Sequence, residues 1–146
     1  MIVVTAFTPE HLAALRLQGS QASAQPLMTL EHGQQIASAG GYARTALLDG
    51  EPIACAGIME KRTNCGYAWA YLGARTAGHW KTLHRAVLNV VQAGRWRRVE
   101  MAVDVRDPMA KRWAAHLGFV YEGTHRAWTH DGRDVETWAR VTACKQ

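Results

Sequence analysis

Asp107 to Phe119, DPMAKRWAAHLGF, is a helix with its start and its stop written into it. Asp107 suits the N-cap, where a side-chain oxygen accepts from a backbone N–H that the helix leaves free. Pro108 suits the first helical position, because its fixed φ fits and its missing N–H is not needed there. Met109, Ala110, Trp113, Ala114 and Leu117 recur at helical spacing and predict one apolar stripe. Gly118 suits the left-handed stop, with Phe119 packed behind it.

Working outward, the preceding stretch RVEMAVDV alternates. Val99, Met101, Val103 and Val105 point one way, Glu100 and Asp104 the other, as in a strand with two unlike faces. Before it, WKTLHRAVLNVVQAG predicts an amphipathic helix from Trp80, with Leu83, Val87, Val90 and Val91 on its buried side and Gly94 as its end. The strand GYAWAYL leads into this helix through the glycine-punctuated loop GARTAGH. Two further strands, ARTALLDG and EPIACAGIME, flank Asp49-Gly50, a pair that favours the positive φ angles of a tight hairpin. Asp131-Gly132 gives the same signal between FVYEGTHRAWTH and DVETWARVT.

At the N-terminus MIVVTAF predicts a strand, and TPEHLAALRLQG a helix capped by Thr8 and ended by Gly19. From Ser20 to Gly41 the chain is rich in Ala, Ser and Gln, and only a short helix over Thr29–Ser38 is expected there. The order β-α-(α)-β-β-β-α-β-α-β-β, with no repeat and no linker, predicts one α/β domain over residues 1–146. Helices would flank a mixed, mostly antiparallel sheet.

This order resembles the GCN5-related N-acetyltransferase (GNAT) family over nearly the whole chain. The family carries a late motif of an Asn, an Ala three residues on, a Tyr, and a closing Leu-Gly-Phe. Here Asp107 stands at the Asn, Ala110 matches, and Leu117-Gly118-Phe119 is the ending. The resemblance implies a GNAT-like acyl-CoA N-acyltransferase fold. It also implies acetyl-CoA as acyl donor and a small-molecule or protein amine as acceptor.

Two departures accompany it. The family's pyrophosphate loop reads Arg/Gln-x-x-Gly-x-Gly/Ala; this chain has Arg75 and Gly78, but Trp80 in place of the last small residue. The indole either blocks the approach of a phosphate or points inward and leaves the amides free. The family's tyrosine, which commonly protonates the leaving thiolate, is replaced by Ala114, and an alanine has no proton to give.

By resemblance, the thioester would lie between GYAWAYL and RVEMAVDV. Amides near Leu72 and Gly73 would polarise its carbonyl, and Arg75, Gly78, His79 and Trp80 would hold the pyrophosphate, with Asp107 nearby. Tyr71, Glu60 and Asp104 are the candidates for deprotonating the amine, and Tyr67 offers another hydroxyl. His79, His84 and His116 titrate near neutral pH, but a lone helical histidine is more often packing or surface.

The plainer readings stand beside these. Trp69, Trp113, Trp128 and Trp138 are expected in the core. Cys55 reads as a buried inert thiol and Cys65 as a more exposed turn residue. With Cys144 they make three cysteines, without metal-ligand spacing, which suits a reducing compartment such as the cytoplasm. No metal is expected.

The net charge is +5, part of it in Arg95, Arg97 and Arg98 around Trp96. A solvated helix end is preferred there over a nucleic-acid patch, because no nucleic-acid motif accompanies the charge. No apolar run approaches a membrane span, and MIVVTAFTPEHL lacks the pattern of a signal peptide. A narrower resemblance, to small tailed-phage proteins that include an internal virion protein, implies a catalytically degenerate binding protein with a virion or host partner. A homodimer is left open.

Overall fold

The computed structural model describes residues 1–94 and 96–142; Arg95 and Cys144 lie outside them. Seven strands form one sheet: β1 (Ile2–Ala6), β2 (Gly41–Leu48), β3 (Glu51–Arg62), β4 (Cys65–Leu72), β5 (Arg98–Asp104), β6 (Val120–His125) and β7 (Val135–Val141). Their order is β1-β2-β3-β4-β5-β7-β6, and every neighbouring pair is antiparallel except β4 with β5.

Asp49 and Gly50 take φ of 50° and 85°, which closes the β2–β3 hairpin as the dipeptide predicts. The second hairpin is wider than expected. Trp128 and Thr129 both donate backbone N–H groups to the Arg133 carbonyl, so Gly132 turns inside a loop and β6 already stops at His125.

The helices are α1 (Pro9–Ala13), α2 (Leu30–Ser38), α3 (Trp80–Gln92) and α4 (Pro108–His116). Helix α4 follows its sequence signals: Asp107 Oδ1 accepts from Ala110 N at 3.0 Å, Gly118 takes φ 89°, and Phe119 N–H returns to the Ala114 carbonyl. Met109 is a correction to the stripe, since it is 59% exposed. Helix α1 is shorter than expected. Past Ala14 the chain bonds to the end of β4 instead, with Gln18 N–H on the Leu72 carbonyl and Ala74 N–H on the Arg16 carbonyl. Gly19 then opens a 3-10 run, Gly19–Leu27.

Helices α3 and α4 cover one face of the sheet, where Val90, Val91, Ala114 and Leu117 pack on Ile58, Val99 and Val103. Helices α1 and α2 cover the other through Leu12 and Ile36, joined by Leu15 just past α1, against Cys55, Trp69 and Tyr71. Trp96 belongs to the first core, and Arg98 beside it is committed to Glu100 and Glu122, while Arg97 is exposed. Trp128, expected inside, is 63% exposed, whereas Cys65, expected near the surface, is buried. Among the described residues no helix is long and apolar enough to cross a membrane.

Candidate active site

Strands β4 and β5 pair over three rungs, Cys65↔Arg98, Gly66↔Val99 and Tyr67↔Glu100, and then part. Ions clamp the closed end. Glu100 accepts from Lys61 Nζ at 2.7 Å and Arg98 Nε at 2.8 Å, and Arg98 continues to Glu122 on β6. Beyond the last rung, β4 from Ala68 to Leu72 faces a gap across which β5 offers it no partner.

Backbone groups on that free edge need partners all the same, and the 3-10 run supplies them. Gln21 Nε2 donates to the Ala70 carbonyl at 2.8 Å, while Leu72 N–H donates to Gln21 Oε1 at 2.7 Å. Gln18 N–H adds a bond of 2.9 Å to the Leu72 carbonyl. On the far rim Arg133 Nη1 lies 2.5 Å from Asp104 Oδ2, and its Nη2 donates to Ser23 Oγ at 3.4 Å. Residues 18–25 are thus a strap that touches both rims. The amides expected to polarise a carbonyl are engaged internally, since Gly73 N–H also donates to the Ile53 carbonyl at 2.7 Å. As acceptor and donor pairs, they are not free oxyanion donors in this conformation.

At the mouth of the gap Ala74–Thr76 forms a 3-10 turn, tied by Thr76 Oγ1 donating to the Gly73 carbonyl. Gly78 has φ 84°, and a Cβ there would meet open space. Helix α3 begins with His79 as N-cap, without a side-chain cap and without an acid in its first turn. Arg75 and Lys81 are both exposed beside it. That end carries partial positive charge and suits an anion. Trp80, 39% exposed, leans toward α4, edge-on to Trp113 at 5.4 Å between ring centroids. Trp113 Nε1 in turn donates to His84 Nδ1 at 3.0 Å.

The opposite face of the gap holds Tyr71. Its hydroxyl lies 3.4 Å from His32 Nε2 on α2, and its ring neighbours Trp69, which stacks edge-on with Phe7. Burial raises the Tyr71 phenol above its ordinary pKa, with Tyr67 adding to the effect, so the hydroxyl is protonated at neutral pH. A groove of about 240 Å³ adjoins these rings, lined in part by Phe7, Ile36, Met59 and Trp69.

The other candidates fall elsewhere. Glu60 pairs with Gly66 at the closed end of β4 and β5, away from the parting. Asp104 stands on the rim, bound to Arg133 and Arg106. Asp107 uses its carboxylate as the α4 cap. Gln21 and His32 were not singled out by sequence; a polar residue in an Ala/Ser/Gln-rich stretch carries no signal of the strand edge it will meet. Among the described residues no group of three or more His, Cys, Asp or Glu is placed to hold a metal.

No family model matches the sequence, and no curated protein does. Solved structures do match in shape. An N-acetyltransferase from Staphylococcus aureus Mu50 superposes with TM-score 0.75 at 14% identity, covering 97% of this chain and 98% of that one. A GNAT-family acetyltransferase from Streptococcus pneumoniae gives 0.71 at 17%, covering 98% and 100%. The fold is that of the GNAT acetyltransferases. A third GNAT-fold match is RimL, a ribosomal L7/L12 alpha-N-protein acetyltransferase in complex with coenzyme A. It gives 0.69 at 16%, covering 96% and 93%. At these identities the likeness establishes the fold, and the function rests on the site.

Proposed function

We propose that the chain binds an acyl-coenzyme A, acetyl-CoA in the simplest case, and transfers the acyl group to an amine. The observation that carries this is the parting of β4 and β5 beside an uncapped α3 N-terminus. RimL, of the same fold, is a complex with coenzyme A. The residues present suit the phosphate end of such a ligand: Arg75, Lys81 and the first-turn amides of α3 offer positive charge, and Gly78 offers room.

When bound, the thioester supplies an activated acyl carbon and a thiolate leaving group. The amine nitrogen bonds to that carbon as the C–S bond breaks, and one proton must leave the nitrogen while another reaches the sulfur. On the acceptor side, Tyr71 Oη takes the amine proton as its own passes to His32 Nε2. Phe7 and Trp69 wall the acceptor's approach, and Asp104, held by Arg133, fixes the rim. Ala114 cannot protonate the sulfur, so water does. Lack of a positioned acid costs on the order of 10²–10⁴ in rate, and a slow enzyme is expected.

The test is calorimetric titration with acetyl-CoA, followed by thiol release across a panel of primary amines. Tyr71→Phe and His32→Ala are expected to lower kcat by about tenfold or more while leaving acetyl-CoA affinity unchanged. Absence of heat at millimolar ligand, from the wild type and from Gln21→Ala alike, overturns the reading.

A second reading keeps the binding and drops the chemistry: a ligand-binding, virion-associated or host-interacting protein. Ala114 and the Gln21-covered edge of β4 favour it. Coenzyme A binding with no turnover on any amine would support it over the first.

A further inference from the structure

The free edge of β4 is covered by a side chain that imitates a ligand's backbone. A primary carboxamide carries one C=O and one N–H arm, and Gln21 aims them at Leu72 N–H and the Ala70 carbonyl. Those two groups are two residues apart on the same strand edge, the spacing at which an added extended chain bonds. Asn64, in the turn before β4, gives its carbonyl to Arg98 N–H on β5, so the edge Gln21 covers is the one that opens onto the gap.

The strap that delivers Gln21 has little else to hold it. Its 3-10 run buries no residue. Buried anchors stand only at its ends, Leu15 before it and Met28 after it. Leu17, partly buried, packs on the same core, and from Gln18 to Gln25 the ties are polar, among them the Gln18 N–H on the Leu72 carbonyl. Gln25 bonds Leu17 N–H at 2.8 Å and the Leu15 carbonyl at 3.0 Å, and Ser23 meets Arg133. A segment without apolar anchorage opens at low cost. Opening leaves Leu72 N–H and the Ala70 carbonyl in want of partners, which a ligand amide restores.

We propose that Gln21 is an intramolecular competitor for the ligand that docks on β4, and that residues 18–25 are the gate it latches. The ligand class is an extended chain bearing secondary amides, as in the pantetheine arm of coenzyme A; to that extent the proposal rests on the acyl-CoA reading. Affinity is reduced by the fraction of molecules whose strap is closed. Losing both carboxamide bonds is expected to release about tenfold in affinity.

The experiment compares wild type, Gln21→Ala and Gln21→Asn, whose shorter side chain cannot span both groups. Each is titrated with coenzyme A, and exchange of the Leu72 amide proton is followed with and without ligand. Thermal melting confirms that each variant folds. Tighter binding by both variants, fast Leu72 exchange in their free state and slow exchange once coenzyme A is added bear the gate out. In the wild type, coenzyme A should make the strap's amides exchange faster. Equal affinity in all three proteins overturns the gate and leaves the acyl-CoA reading standing. Weaker binding by the variants also overturns it, because Gln21 would then be scaffold for the ligand. No binding by any of them removes both.

Discussion

Replacing Glu100 by Gln tests what holds the closed end of the gap. Glu100 is 9% exposed and sits on the last rung before β4 and β5 part. Hydrogen bonds from Lys61 and Arg98 hold its carboxyl at about 2, down from an ordinary 4.5, against the opposing effect of burial. At 1.36 kcal/mol per pH unit, that difference corresponds to on the order of 3 kcal/mol. Lys61 is half exposed, and solvent screening trims the figure to about 1–3 kcal/mol.

The sign follows from proton uptake. The unfolded carboxyl binds its proton near pH 4.5 and the folded one only near 2, so the unfolded state holds more protons in between. The contribution is therefore complete above about pH 4.5 and is lost as the pH falls toward 2. Urea unfolding of wild type and Glu100→Gln at pH 7, 5 and 2.5 reads it directly. A stability gap of about 1–3 kcal/mol is expected at pH 7 and 5, shrinking to a small remainder at pH 2.5. A gap as large at pH 2.5 as at pH 7 would refute the reasoning and assign the cost to packing. The Arg98 amide, which bonds the Asn64 carbonyl in the turn before β4, should also exchange faster in the variant.

Trp113→Phe keeps a ring against Trp80 but removes the donor to His84, and should cost about 0.5–1.5 kcal/mol, or a few degrees in Tm. Trp113→Ala should cost about 3–5 kcal/mol, and equal losses in the two variants would mean the α3–α4 contact is not built as described. Burial pushes the Cys55 thiol up to about 11 despite its bond with Thr45. At pH 8 Cys55 should react with a disulfide reagent only at the rate of unfolding; rapid labelling of the native protein at that residue would contradict its burial.

The segments that could be placed from sequence are those whose bonds close locally. Asp107 reaches Ala110 three residues on, Gly118 takes the left-handed turn next to its own helix, and Asp49-Gly50 folds within one hairpin. The alternation in RVEMAVDV likewise placed Val99 and Val103 in the core and Glu100 on the other face. Errors came where a neighbour distant in sequence decides burial. Trp128 lies in the β6–β7 loop and stays 63% exposed with the His125 ring against it, and Cys65 lies where β4 begins between β3 and β5.

For the site the division is sharper. Sequence alone determined the loop before α3, its basic residues, the missing tyrosine at Ala114 and the order of strands around them. Only the tertiary structure decided that β4 and β5 part after Tyr67, that Trp80 turns to Trp113, and that His32 meets Tyr71 across 39 residues. It also decided that Gln21 covers a strand edge 51 residues away. A cap or a turn satisfies its backbone within a few residues and so leaves its mark on local spacing. An unpaired strand edge exists only once the sheet has formed, and what fills it is chosen by proximity in space.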